Sequence, residues 1–127
     1  MPCILGIDTG GTMAKAAVFD LDGTERASAR QANAVRFPEP GHTEVDPESM
    51  WRSACGAALQ ALKASGVSPG DVVGISTTGH GNGLYAVDAD GLPVGPGIVS
   101  TDSRADAVGR DWTAAGHAPA AEAAIMQ

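Results

Sequence analysis

The sequence predicts an α/β domain whose strands and helices do not alternate as a simple βαβ series. Three observations carry this. Three strand-like stretches come first, in succession, before any helix. One long helical pattern then runs from Asp46 to Gly66. Two further strand-like stretches follow, with an Ala-rich, helix-prone tail from Ala105 onward.

Each element has a local reason. "CILGID", Cys3 to Asp8, is a short apolar run ending in an acid and reads as a buried strand. Val18 and Phe19 carry a second strand, and "DLDG", Asp20 to Gly23, is a hairpin turn signal. "TERASARQANAV" alternates and is polar, which predicts a third strand with one wet face. The three together predict an antiparallel meander. Pro38, Pro40 and Gly41 then make a loop. Asp46 fits a helix N-cap, Pro47 the first turn, and Glu48 the positive end of the helix dipole. Trp51, Ala54, Cys55, Ala58, Leu59 and Leu62 recur at three- and four-residue steps and predict the apolar face; Gly66 is placed to close the helix. "DVVGISTT", Asp71 to Thr78, reads as a buried strand, and "LYAVDADGLPV" as another strand with a turn at "DADG". "GIVSTDSRA" reads as a strand running into a loop or helix start, and the tail is broken by Gly109, Gly116 and Pro119.

The bulk composition narrows the function classes. A length of 127 residues suits one modest domain or part of a larger one. The net charge is −7 and the eight Lys and Arg are scattered, which argues against nucleic acid or an anionic membrane as partner. A phosphorylated ligand stays open, because backbone N–H groups and a metal ion can hold phosphate without basic side chains. Cys3 and Cys55 read as two reduced, buried thiols, and no Cys/His set has zinc spacing. No charged leader precedes an apolar run, and no run approaches the roughly 20 apolar residues that cross a bilayer. The cytoplasm is the expected compartment.

The stretch with the most chemistry is "GIDTGGTMAK". Asp8 ends an apolar strand, so its carboxylate belongs near the strand's mouth. Gly10 and Gly11 permit positive φ and close ligand approach; Thr9 and Thr12 add hydroxyls, and Lys15 adds a positive charge. An acid that can hold hydrated Mg²⁺ beside a glycine turn is sound chemistry for nucleotide phosphates. A plain hairpin turn with a flanking acid accounts for the same residues. No G-x-x-x-x-G-K-[ST] loop is present, and "GHGNG" has its third glycine displaced from a dinucleotide fingerprint.

"GIDTGGTMAKAAVFDLDG" resembles the first phosphate motif of the superfamily of sugar kinases, heat-shock ATPases and actin. Three further stretches narrow the resemblance. "GHTEVDPESMW" resembles the G-W-x-E-x-D-P-x-x-x-W signature of the FGGY carbohydrate kinases. "GISTTGHGNGLYAVDADGLPV" resembles that family's sugar-side strand and loop, and "IVSTDSRA" its W-x-D-x-R segment. Order and spacing agree over about residues 3–110. The resemblance implies an RNase H-like, actin-like ATPase domain with a mixed sheet, present in part: residues 1–127 correspond to the N-terminal part of the first kinase domain, without the second, adenine-side domain.

What the resemblance implies for the site follows residue by residue. Asp8 takes the family's metal-side acid position, and Gly10, Gly11, Thr12, Met13 and Lys15 the nucleotide side, with ATP and Mg²⁺ as cofactors. Met13 departs from the usual small hydroxyl residue. His80, Gly81 and Asn82 fall where xylulokinases carry Gln, Met and His and glycerol kinases Gln, Arg and Glu. The implied substrate is therefore a small sugar or polyol, an L-xylulose-type or other ketose fitting better than D-xylulose or glycerol. Asp102 and Arg104 match the W-x-D-x-R acid and base, with Ser100 in place of Trp; they line the sugar cleft or form a structural pair. Glu44 is a loop anchor or a ligand contact, and His42 replaces the usual Trp. Trp51 and Trp112 read as core or half-buried packing residues rather than stacking platforms, and His117 as a solvated helix position. The family's catalytic Asp lies beyond Gln127, so this chain alone is expected to be inactive; exposed sheet edge and apolar helix surface are expected to make it marginal or sticky, and the full-length protein leaves room for a homo-oligomer. A ROK-type kinase and a non-catalytic sugar- or nucleotide-binding regulator are the alternatives.

Overall fold

The computed structural model describes residues 1–117. The first three strands form the expected meander: β1 (Cys3–Thr9), β2 (Met13–Asp20) and β3 (Glu25–Ala32), each antiparallel to the next. Gly23 takes φ +89° in the β2–β3 turn, where its N–H donates to the Asp20 carbonyl at 3.0 Å. Two short strands follow, β4 (Val35–Arg36) and β5 (Glu44–Val45), then the helix α1 (Pro47–Ser65). After a 3-10 turn at Pro69–Asp71 comes β6 (Val72–Gly79), then β7 (Gly97–Ile98) and α2 (Asp106–Ala114).

β6 lies parallel to β1, so the main sheet has the order β3-β2-β1-β6. That mixed arrangement agrees with the RNase H-like expectation. β4, β5 and β7 make a second, small antiparallel sheet. α1 crosses one face of the main sheet. Its Ala57, Ala58 and Ala61 meet Cys3, Leu5, Ala16 and Val18 in the main core. Val45, Met50 and Val99 form a smaller core with Val35 beneath the second sheet.

The ends of α1 are as expected. The Asp46 side chain accepts from the N–H of Glu48 and Ser49, and Gly66 closes the helix at φ +68°. Its buried face agrees in part: Ala54 and Ala58 are buried as expected and Leu62 packs against the core, joined by Met50, Ser53, Ala57 and Ala61, while Trp51 and Leu59 are about two-thirds exposed at 65% and 66%. Small side chains let the helix axis lie close to the sheet, and the bulky residues are displaced to its flank. Trp112 is about half exposed, so neither Trp lies in the core.

Three further expectations change. β6 is not a buried strand, because among the described residues β1 is its only strand neighbour; Val73 and Ile75 are both exposed. Leu84–Val94 does not form a strand; it carries single bridges, Leu84 to Ile98 and Val87 to Pro93, around a turn organised by the Asp88 carboxylate. Pro93 and Pro96 have no N–H to offer a ladder. α2 runs through Gly109 without a break. Cys3 is buried and Cys55 half-buried, both free. His117 is exposed just past the end of α2, and the expected break at Pro119 lies outside the described residues. Among the described residues no helix is long and apolar enough to cross a membrane.

Candidate functional site

Parallel pairing of β1 with β6 brings their carboxyl ends together: Asp8 faces Thr78 and Thr9 faces Gly79. Ligands in sheets of this kind bind beyond such strand ends. Leu5 and Ile7 point toward α1, so strand alternation turns Asp8 to the opposite, open face. Lys15 stands directly across from it, Nζ 3.9 Å from the Asp8 carboxylate. Both remain substantially exposed. They border a cleft of about 320 Å³ whose wall includes Phe19, Ser28, Ser76 and Thr78.

The turn between β1 and β2 is closed by the Gly10 N–H donating to the Met13 carbonyl at 3.0 Å. A Cβ on Gly10 would stand 2.9 Å from that carbonyl oxygen, so only glycine fits. Gly11 faces His80 and Val99. Among the described residues the Gly11 and Thr12 N–H groups have no acceptor. The Thr9 hydroxyl is already engaged, donating to the Thr78 carbonyl at 3.0 Å. Asn33, which sequence reading passed over as the end of a polar strand, touches this turn: its N–H donates to Thr12 O at 2.9 Å and its Nδ2 to Gly10 O at 2.8 Å.

His80 stands beside the turn. Its N–H donates to Thr9 O at 3.2 Å, its Nδ1 is 3.3 Å from the same oxygen, and its Nε2 is 2.8 Å from the Tyr85 hydroxyl. The tautomer that satisfies all three carries its proton on Nδ1, with Tyr85 donating to Nε2. Burial pushes the Tyr85 hydroxyl pKa up. A Cβ on either Gly83 or Gly97 would strike the Tyr85 ring, so two glycines far apart in sequence frame one aromatic slot. Those glycines were the available signal for Tyr85. Asn82 adopts φ +61°, a conformation Asn tolerates better than most residues, and a Cβ on Gly81 would meet open space. A second cleft of about 280 Å³ joins Gly11, Thr12 and His80 to Thr43, Ser100 and Thr101; Gly81 and Asn82 line neither cleft.

Asp102 and Arg104 are engaged with each other. Arg104 donates to both Asp102 oxygens, from Nε at 2.9 Å and an NH2 group at 2.8 Å, and that NH2 also reaches Glu44 at 2.9 Å. The Thr43 N–H adds a 2.6 Å bond to Asp102, whose side chain is 3% exposed. The Arg104 hydrogen bonds hold the Asp102 carboxyl well below the usual carboxylate range, and Asp102 and then Glu44 raise Arg104 in turn. This cluster ties β5 to the segment after β7, beside the second cleft. Asp102 and Arg104 are thus paired, and Glu44 has a partner in Arg104.

Asp8 fits the donor set for Mg²⁺, which needs one or two carboxylates and takes its remaining oxygens from water and substrate phosphate. Among the described residues no cluster of three or more His, Cys, Asp or Glu side chains forms a complete metal cage.

Residues 3–125 match the N-terminal domain of the FGGY family of carbohydrate kinases. The chain belongs to that family. An FGGY assignment sets aside the ROK-type alternative. The L-xylulose/3-keto-L-gulonate kinase of Escherichia coli is 38% identical over 109 residues, which is 85% of this chain and 22% of that protein. A probable L-xylulose kinase of Haemophilus influenzae is 33% identical over 108 residues, again 85% and 22%. A glycerol kinase of Trichlorobacter lovleyi is 38% identical over 105 residues, 82% of this chain and 21% of that one. This FGGY chain therefore spans only 22% of the length of the two xylulose kinase relatives. In solved structures, the xylulose kinase from Rhodospirillum rubrum superposes with a TM-score of 0.72 at 27% identity, over 80% of this chain and 21% of that one. A gluconate kinase from Lactobacillus acidophilus reaches 0.85 at 21% identity over 93% and 23%, a likeness of fold.

Proposed function

We propose that the polypeptide carrying this segment transfers the γ-phosphoryl group of ATP to a hydroxyl of a ketose or polyol. The observation that carries this is Asp8 at the open end of β1, beside a glycine turn with two unengaged N–H groups, within a chain of FGGY membership. Gly10, Gly11, Thr12 and Met13 would cradle phosphate oxygens, and Lys15 would add positive charge. Asp8 would hold Mg²⁺ through its water shell, and the ion would neutralise phosphate charge. Positioning and charge neutralisation are most of what phosphoryl transfer asks of a protein.

On the sugar side, His80, Gly81 and Asn82 would meet the acceptor, Asn82 through an amide that both donates and accepts. Asp102, Arg104 and Glu44 would brace the segment beside the second cleft through their ion pairs. An L-xylulose-type ketose is the preferred acceptor, supported by the two L-xylulose kinase relatives. A polyol is the second reading, supported by a glycerol kinase relative at 38% identity. Residues 1–127 alone would not turn over, a reading supported by their spanning only 22% of the length of the two L-xylulose kinase relatives. The protein is proposed to work in the cytoplasm.

The test is sugar-dependent ADP release by the complete polypeptide across a panel of ketoses and polyols. Asp8→Ala is expected to abolish turnover with little change in sugar binding. Asn82→Ala is expected to raise the KM for the acceptor or change its preference; an unchanged KM and preference would remove the sugar-side assignment. Sugar-dependent ATP consumption by residues 1–127 alone would overturn the proposed division of labour.

A further inference from the structure

Asn33 lies one residue past β3, at the same end of the sheet as the β1–β2 turn. It is 8% exposed. Its backbone N–H donates to Thr12 O at 2.9 Å. Its Nδ2 donates to Gly10 O at 2.8 Å and lies 3.5 Å from Gly11 O. One residue thus draws the carbonyls of three consecutive turn residues to its side. Turning the amide over would set Oδ1 against two carbonyl oxygens, so the turn itself orients the amide. Among the described residues Asn33 Oδ1 has no partner, so the donor end alone accounts for its placement.

In a trans peptide the carbonyl and the following N–H point in opposite directions. Pulling the Gly10 and Gly11 carbonyls toward Asn33 therefore turns the Gly11 and Thr12 N–H groups away from it. Those are the two N–H groups without an acceptor. Successive N–H groups held on one side form an anion-binding concavity. Donors fixed before the ligand arrives cost no reorganisation when it does.

We propose that Asn33 is a positioning residue that pre-organises the Gly10–Met13 turn for the oxygens of a di- or triphosphate. It acts through the carbonyls and does not touch the ligand. The proposal rests on the phosphate-turn part of the kinase reading.

The experiment is titration of the 127-residue chain with inorganic pyrophosphate, followed by backbone amide NMR. In the unsubstituted chain the Gly11 and Thr12 amides are expected to shift with pyrophosphate. Asn33→Leu fills a similar volume without a donor and is expected to weaken binding about tenfold, the scale of a lost supporting hydrogen bond. Asn33→Ser, smaller and polar, serves where Leu prevents folding, with the same expected weakening. In the complete polypeptide the KM for ATP is expected to rise by a similar factor while the KM for sugar stays unchanged, a split that mere loss of folded protein does not produce. Folded variants that bind pyrophosphate like the parent would overturn the proposal. So would a parent chain whose Gly11 and Thr12 amides ignore pyrophosphate, or variants that all fail to fold, since Asn33 would then be a folding residue only. A normal pyrophosphate response in a polypeptide that phosphorylates no sugar or polyol would instead defeat the kinase reading and leave the role of Asn33 standing.

Discussion

Both oxygens of the Asp102 carboxylate are held by Arg104, and the Thr43 N–H adds a third contact. Its folded pKa is lowered relative to an ordinary carboxylate near 4. The stabilisation from this group is therefore complete above the unfolded value and is lost as pH falls through it toward the folded one. Arg104 remains charged over this whole range, so the acid dependence belongs to Asp102. Asp102→Asn is expected to lower the melting temperature at pH 7 and to flatten its fall between about pH 5 and pH 2. Melts across that interval check it; equal acid slopes in variant and parent would show that the cluster does not govern acid stability.

At the scale of elements, α1 offers the sharpest test. Asp46→Ala removes the acceptor for two N–H groups at the helix start and is expected to cost about 1 kcal/mol, or a few degrees of melting temperature. Ala57→Leu, at a position with no exposed surface, forces extra methylenes between helix and sheet and is expected to cost about 1–3 kcal/mol. Thermal or urea unfolding measures both, and an Ala57→Leu chain as stable as its parent would mean that α1 does not pack closely. The ends of α1 were legible in the sequence because Asp46, Pro47 and Gly66 act within one turn of themselves. Its buried face was legible only in part: Ala54 and Ala58 are buried as expected, Trp51 and Leu59 are not. Hydrophobicity ranks Trp51 and Leu59 above Ala57 and Ala61, yet the sheet accepts the methyl groups and turns the large side chains aside. The same distinction runs through the site. Asp8 and the glycine turn are contiguous and could be read directly. Asn33 depends on where β3 ends, Tyr85 on glycines 14 residues apart, and the partners of Asp102 on a contact between β5 and the segment after β7.

For the whole molecule, the surface beside β6 dominates. Between α1 and β6 runs an apolar groove of about 690 Å³, bordered by Met50, Trp51, Leu59, Ile75 and Tyr85. Among the described residues β6 also has no strand on its outer edge, which is a template for another strand. The chain is expected to self-associate with rising concentration. Its net charge of −7 opposes that association, so added salt is expected to strengthen it by screening. Ile75→Lys, which sets a charge on the exposed strand, is expected to weaken it. Sedimentation velocity across concentration and salt reads all three effects, and a monomer at every condition would rule them out.

The parallel pairing of β1 with β6 also has a consequence in time. Cys3 at the start of β1 faces Val72 at the start of β6. A ribosome adding roughly 5–20 residues per second delivers β6 several seconds after β1. In that interval β2, β3 and α1 have all been synthesised and can gather around β1 on one side. The strand that carries Asp8 thus leaves the exit tunnel long before Thr78 and Gly79, which complete the floor beneath its end. During synthesis, the Gly10–Met13 turn is made first and its support arrives late.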